Sequence, residues 1–252
     1  MLTQEDAFYI PGLLDHLFEQ RRDVIGVGVV PGELRRGHLR RYFQLMGPRD
    51  FTLQVVNLAG HRACEVLGRV VPFGKSFSVA DSARRHRIPL ERVPKVNAPE
   101  FVASLRARGV ELLVSVACPQ VCKRELLGVA TKGAINIHGA LLPDYQGLLP
   151  SFWVLANGEP HGGVTVHYMD EQIDNGDIIA QRQVPIEDRD TVHSLVKRSK
   201  IGIGKHLLVE AIEKIERGEV ERRRMDSGKA RYFSFPDAEA VKRFRARGRR
   251  FI

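Results

Sequence analysis

Cysteine is scarce in this 252-residue chain, which holds only Cys64, Cys118 and Cys122. Three thiols cannot all pair, so a disulfide framework is excluded. Cys118 and Cys122 stand four apart, but no further His or Cys completes a zinc ligand set, and no metal is expected. The thiols read as reduced small hydrophobes. Long apolar runs are lacking too, and none reaches the ~20 residues that cross a bilayer. The opening MLTQEDAFYIPG has neither the basic start nor the apolar stretch of a secretion signal. A soluble, cytoplasmic protein without a membrane span is the expectation. P-loop, G-x-S-x-G and H-E-x-x-H patterns are missing, so the common NTPase, hydrolase and zincin readings have no motif behind them. GVGVVPG (26–32) comes nearest to a dinucleotide fingerprint. It is wrong by one residue and puts Pro31 where backbone would meet a pyrophosphate, so it reads as a strand and turn.

Acidic residues are in short supply: 30 Asp and Glu face 39 Lys and Arg, giving +9. That balance favours anionic partners such as a nucleotide, a phosphorylated metabolite, nucleic acid or an acidic membrane surface. Arg35, Arg36, Arg40 and Arg41 form a basic helix face with His38. A second cluster spans Arg222–Arg224 and Arg243 to Arg250. Both suit solvent, phosphate, an RNA backbone or acidic lipid. Without interleaved aromatics, base-specific readout is not expected.

What the chain does contain is alternation. A helix is predicted from about Leu13, a buried strand in 24–32, an amphipathic helix over 34–45 and a second strand over 51–58 (FTLQVVNL). Ser78 and Asp81 start a short helix, IPLERVP is an edge strand, and Asn97 is read as the cap of a helix that stops at Gly109. ELLVSVA (111–117) is a near-continuous apolar run, as in a parallel strand buried on both faces. AINIH (134–138), GVTVHYM and DIIAQRQVPI are further strands, and 191–217 is the longest helix, stopped by Gly218. Strands alternating with helices predict an α/β, Rossmann-like, doubly wound and mostly parallel sheet. Residues 1–218 form the expected main domain, with 219–252 a short basic C-terminal extension.

Ligands bind at the C-terminal ends of such strands. Asn136 and His138 share a face at one such end, being two apart in a strand. Asp174 follows in DEQIDNG. An amide, an imidazole and a carboxylate form a plausible proton-transfer set: the amide donates to a carbonyl oxygen, the imidazole moves a proton, the carboxylate orients or charges it. No Ser or Cys nucleophile has matching spacing. Spacing alone leads to acyl or one-carbon transfer by direct attack of an amine or water.

The two stretches N-I-H-G-A-L-L-P-D-Y-Q-G and G-V-T-V-H-Y-M-D-E-Q-I-D-N-G-D-I-I resemble the folate-dependent formyltransferase family, which includes glycinamide ribonucleotide, methionyl-tRNA and sugar N-formyltransferases. The resemblance covers about 111–218. It implies transfer of a formyl group from 10-formyltetrahydrofolate to a primary amine, with Asn136, His138 and Asp174 as catalytic residues. It implies folate contacts at Gln120, Val121 and Cys122, and at Asp170, Glu171, Gln172 and Ile173. Gln146 stands where the family has an acceptor-side arginine, and is the candidate substrate-binding residue. Gly139 and Ala140 replace the usual residues after the histidine. The glycinamide ribonucleotide enzymes' phosphate loop is missing near Gly28–Gly32. Only about thirty residues follow the last long helix, too few for the methionyl-tRNA enzymes' second domain.

The preferred acceptor on these grounds is an amino sugar, phosphorylated or nucleotide-linked, with tRNA less favoured. The alternatives are a methionyl-tRNA or other small-amine formyltransferase, a 10-formyltetrahydrofolate hydrolase, and a non-catalytic basic protein that binds RNA or membrane. A homodimer stays open.

Overall fold

The computed structural model describes residues 1–21, 23–32, 38–71 and 73–252. Arg35 and Arg36 of the expected basic face lie outside the described residues. The chain opens with β1 (Leu2–Thr3), whose two residues lie in the interior of a seven-stranded sheet, third from one edge. α1 (Ile10–Gln20) begins earlier than its apolar spacing suggests, because Pro11 suits a first turn and the Asp6 carboxylate accepts from the amides of Phe8, Tyr9 and Ile10. β2 (Val27–Val29) is buried as expected.

α2 (His38–Met46) and α3 (Pro48–Leu67) follow. The strand expected at 51–58 is therefore helix. Pro48 in the first turn and Asp50 near the helix N-terminus are start signals that outweigh the strand preference of Val55 and Val56. α4 (Val79–Arg85) is capped by the Ser78 side chain, which accepts from the Asp81 amide. β3 (Leu90–Arg92) is the edge strand. α5 (Pro99–Ala107) is capped at Ala98, not Asn97. The Asn97 side chain instead bridges the Val121 carbonyl and the Lys123 amide, tying down the loop after β4 (Leu113–Val116).

α6 (Arg124–Leu127) and β5 (Ala134–His138) complete the parallel half. Strands β1 to β5 pair in parallel. After β6 (Gln146–Gly147) and α7 (Pro150–Asn157), two long antiparallel strands close the sheet: β7 (His161–Tyr168) and β8 (Ile178–Pro185). The order is β3-β2-β1-β4-β5-β7-β8. Its switch point lies between β1 and β4, so the loops after Thr3 and Val116 flank the crevice, rather than the turn after Val29.

α8 (Val192–Val196), a π-helical stretch over 197–203 and α9 (Gly204–Arg217) form one continuous helical run. Thr191 caps its start with a capping box, and Gly218, at φ +69°, ends it. The residues beyond fold back on the body. β9 (Tyr232–Phe233) pairs with β6, and α10 (Ala238–Ala246) lays Phe244 against Phe152. Phe244 and Phe251 are buried with Trp153 and Leu155 in a second core beside the sheet's main one.

Candidate active site

The antiparallel pairing of β5 with β7 sets Asn136 opposite His167 and His138 opposite Thr165. Asp174 comes from the loop between β7 and β8 and holds a left-handed backbone, φ +51°. Such strain in a non-glycine residue persists only where its surroundings hold it. Two residues on, a side chain at Gly176 would collide with the Tyr168 carbonyl, so the loop can fold this close to β7 only with glycine there.

This geometry brings the three predicted residues together. Asn136 Nδ2 donates to Asp174 Oδ1 at 3.2 Å, and His138 Nδ1 lies 3.3 Å from Asp174 Oδ2. The Gly147 amide donates to Asp174 Oδ2 at 3.0 Å. His138 Nε2 is 2.7 Å from the Tyr145 carbonyl, which can only accept, so Nε2 carries a hydrogen. His138 is buried, and Asn136 is half-buried.

Sequence reasoning missed His167. Its Nε2 is 3.2 Å from Asn136 Nδ2 and 3.6 Å from Asp174 Oδ1, and its Nδ1 is 2.7 Å from the Tyr168 carbonyl. The signal was register: once β5 and β7 are antiparallel, His167 faces Asn136. Lys200 was missed as well. It sits on the π-helical stretch, and a side chain at Gly139 would lie 4.0 Å from its Cδ. Irregular turns of this kind recur at functional sites.

Burial by itself would push the Asp174 carboxyl up. The His138 charge, the His167 hydrogen bond and charge, and the Gly147 amide outweigh it and hold the carboxyl well below the usual range. The carboxyl is an anion at neutral pH. His138 is pushed down, first by burial and then by the charges of His167 and Lys200, against the opposing pull of Asp174. We take the ring as neutral at rest. Burial also lowers the Lys200 ammonium, with Asp6 and Asp174 opposing.

The other predicted residues scatter. Gln120 is tied to the Val96 amide and the Pro94 carbonyl. Cys122 is buried in the core, where a hydrogen bond with the Cys118 thiol and burial together push its own thiol up. Val121 and Ile173 are 50% and 44% exposed, two large apolar side chains at the loops beside the triad. Asp170 accepts from the Gln172 amide and the Asn175 side chain and so shapes its own loop. Glu171 is exposed. Gln146, expected to face a substrate, is buried, and its amide donates to the Asp174 carbonyl at 3.0 Å. It braces the loop from beneath.

A cleft of about 650 Å³ adjoins this loop, walled by Tyr168, Asp170, Arg222, Arg224 and Met225 among others. Arg222 lies over the Tyr168 ring at 4.3 Å. A smaller cavity of about 260 Å³ sits among the loops beside the starts of β2 and β4, far from the triad, its charges already paired as in Arg21 with Glu216.

A family model described as formyl transferase matches residues 56–212. The chain belongs to the formyl transferase family. A methionyl-tRNA formyltransferase of Anaeromyxobacter sp. (strain K) is 34% identical over 184 residues, 71% of this chain and 59% of that protein. The chain thus spans about three-fifths of that relative's length. Among solved structures, an N-formyltransferase from Helicobacter canadensis, described in complex with folinic acid and dTDP-3-aminofucose, superposes with TM-score 0.58 at 20% identity, covering 92% of this chain and 69% of that one. Glycinamide ribonucleotide transformylase 1 from Symbiobacterium toebii gives TM-score 0.58 at 21% identity, covering 89% and 92%. At these identities the likeness shows the formyl transferase fold alone.

Proposed function

We propose that this formyl transferase moves a formyl group from 10-formyltetrahydrofolate to a primary amine, with residues 1–218 as the catalytic unit and 219–252 packed back on it. The observation that carries the reading is the convergence of Asn136, His138 and anionic Asp174 at the strand ends. The folate co-substrate would supply the formyl carbon. Its flat ring suits the exposed Val121 and Ile173, with backbone of the 170–173 loop as polar partners. No metal ligand cluster occurs among the described residues.

The Asn136 amide donates toward the carbonyl oxygen as the amine adds, where negative charge develops. The incoming amine must then lose a proton. His138 already donates through Nε2, so its free base is Nδ1, which faces the Asp174 carboxylate. Taking a proton there turns a lone pair facing an anion into a charge-assisted hydrogen bond. Burial and Lys200 keep the ring neutral until that moment, which is what a proton acceptor at neutral pH needs. Asp174 stabilises the imidazolium, which passes the proton to the folate nitrogen as the bond between that nitrogen and the formyl carbon breaks, so tetrahydrofolate leaves as a neutral amine; His167 and Gly147 fix Asp174.

We take an amino sugar carried on a nucleotide as the first acceptor. The Helicobacter canadensis structure is described with such a ligand. The second reading, an aminoacyl-tRNA acceptor, is favoured by the 34% identity to a methionyl-tRNA enzyme. A screen of amino sugars, nucleotide-linked amino sugars and charged tRNA with 10-formyltetrahydrofolate separates the two. Formate released at the same rate without any amine would reject both in favour of hydrolysis.

A further inference from the structure

α3 is built inside out. Its side toward the body carries Asp50, Gln54, His61, Cys64 and Glu65, and the two acids are its only buried residues. Asp50 accepts from the Phe251 amide, and Glu65 accepts from the Ser78 hydroxyl. The solvent side carries Leu53, Val56, Val66 and Leu67, with Val56 62% and Val66 60% exposed. The exposed apolar surface continues into Val70, 84% exposed, and onto Tyr42 and Phe43 of α2. A helix on a soluble protein ordinarily turns that face inward.

The charges on this arm have one sign. Between residues 38 and 75, among the described residues, the exposed charged side chains are Arg40, Arg41, Arg49, Arg62, Arg69 and Lys75. Both acids of the segment are buried and engaged. Arg49 and Arg62 are the partners of those acids, so a second copy of this face would bring Arg40, Arg41, Arg69 and Lys75 against the same four, which opposes self-pairing. A single partner helix covers a stripe of about 100°. At ~100° per residue, the exposed apolar positions from Leu58 round to Leu53 sweep roughly 220° of α3. RNA would meet the cations but offers no apolar counterpart to valine and leucine.

We propose that the α2–α3 arm is a peripheral docking surface for an anionic lipid interface. The arm lies in the headgroup plane, its aliphatic side chains enter the acyl boundary, and its arginines reach lipid phosphate along the rim. No helix among the described residues is long and apolar enough to cross a membrane, so the attachment is peripheral and reversible.

The test is co-sedimentation of the full chain with vesicles of phosphatidylcholine alone or with three-tenths phosphatidylglycerol. Binding is expected to the anionic vesicles only, weakening several-fold as salt rises from 0.1 to about 0.5 M. Val56→Asp with Val66→Asp should weaken it at least tenfold while circular dichroism melts stay unchanged. If that pair perturbs folding, Val56→Ser with Val66→Ser serves instead. Equal binding to both vesicle types, or binding untouched by the substitutions, would overturn the proposal. So would a homodimer in sedimentation equilibrium that the same substitutions dissolve, or polyuridylate binding that survives them.

Discussion

Two aspartates mark two halves of this molecule, and they are buried for different reasons. Asp174 is enclosed by side chains of the site: the His138 and His167 rings and the Asn136 amide. Asp50 is enclosed by backbone, accepting the Phe251 and Ile252 amides. The first is the proposed catalytic carboxylate, held in a left-handed loop; the second is a peg that fixes the chain's last residues to α3. Around Asp174, apolar side chains point inward and polar ones converge on a site. Around Asp50, the helix shows its apolar side to solvent. Burying a carboxylate is costly in either place, and the partners say what that cost secures.

The largest effect should come from breaking the working half. Asp174→Asn keeps the shape and the Gly147 donor but removes the charge that stabilises protonated His138. Turnover should fall about 10²- to 10³-fold, measured in single-turnover formyl transfer, with the melting temperature little changed. An unchanged rate would sink the assignment of the triad. The peg half should break differently. Phe244→Ala removes a fully buried ring packed at a tilt against Phe152, and should cost about 3–5 kcal/mol in urea unfolding. A loss near zero would show that the residues after α9 are an appendage after all.

How legible each half was follows the same division. ELLVSVA and AINIH read correctly because strands covered on both faces leave only apolar choices, and 191–217 read correctly because Thr191 and Gly218 mark its ends. Asn136, His138 and Asp174 could be placed together because spacing in β5 and the Asp-Asn-Gly turn are local signals. His167 and Lys200 reach the site through register and through a helix distant in sequence, which no local pattern encodes. Gln146 looked like a substrate contact because only its place in the motif was visible, not its burial. FTLQVVNL misled because its apolar face is turned outward, so the usual link between apolar side chains and a core did not hold.

Acidification tests the resting state of His138. The folded ring binds a proton less readily than the unfolded one, whose pKa is near 6.5. Its contribution to stability is therefore complete above that pH and lost as pH falls through it toward the lower folded value. Thermal melts from pH 7.5 to 5 should fall less steeply for His138→Asn than for the parent. His16 and His193, also shifted down, are common to both and cancel. An equal or steeper fall in the variant would mean the ring is already charged. Gln146→Leu comes next. Losing the donor to the Asp174 carbonyl should cost about 1–2 kcal/mol and slow turnover about tenfold, mainly in kcat.

The smallest expected change is the sharpest check on the contrast between the halves. A valine-to-aspartate change in the sheet core, at Val164 or Val166, would bury an unpaired charge and unfold the protein. The same change at Val56 should shift stability by less than about 0.5 kcal/mol, because the new carboxylate stays in water and no packing is lost. Urea unfolding of Val56→Asp against the parent measures it. A loss of 2 kcal/mol or more would mean that Val56 packs against something in the free protein, and the outward face of α3 would have to be redrawn. A null effect on stability, joined to a loss of anionic-vesicle binding, would separate what holds this fold together from what the fold presents.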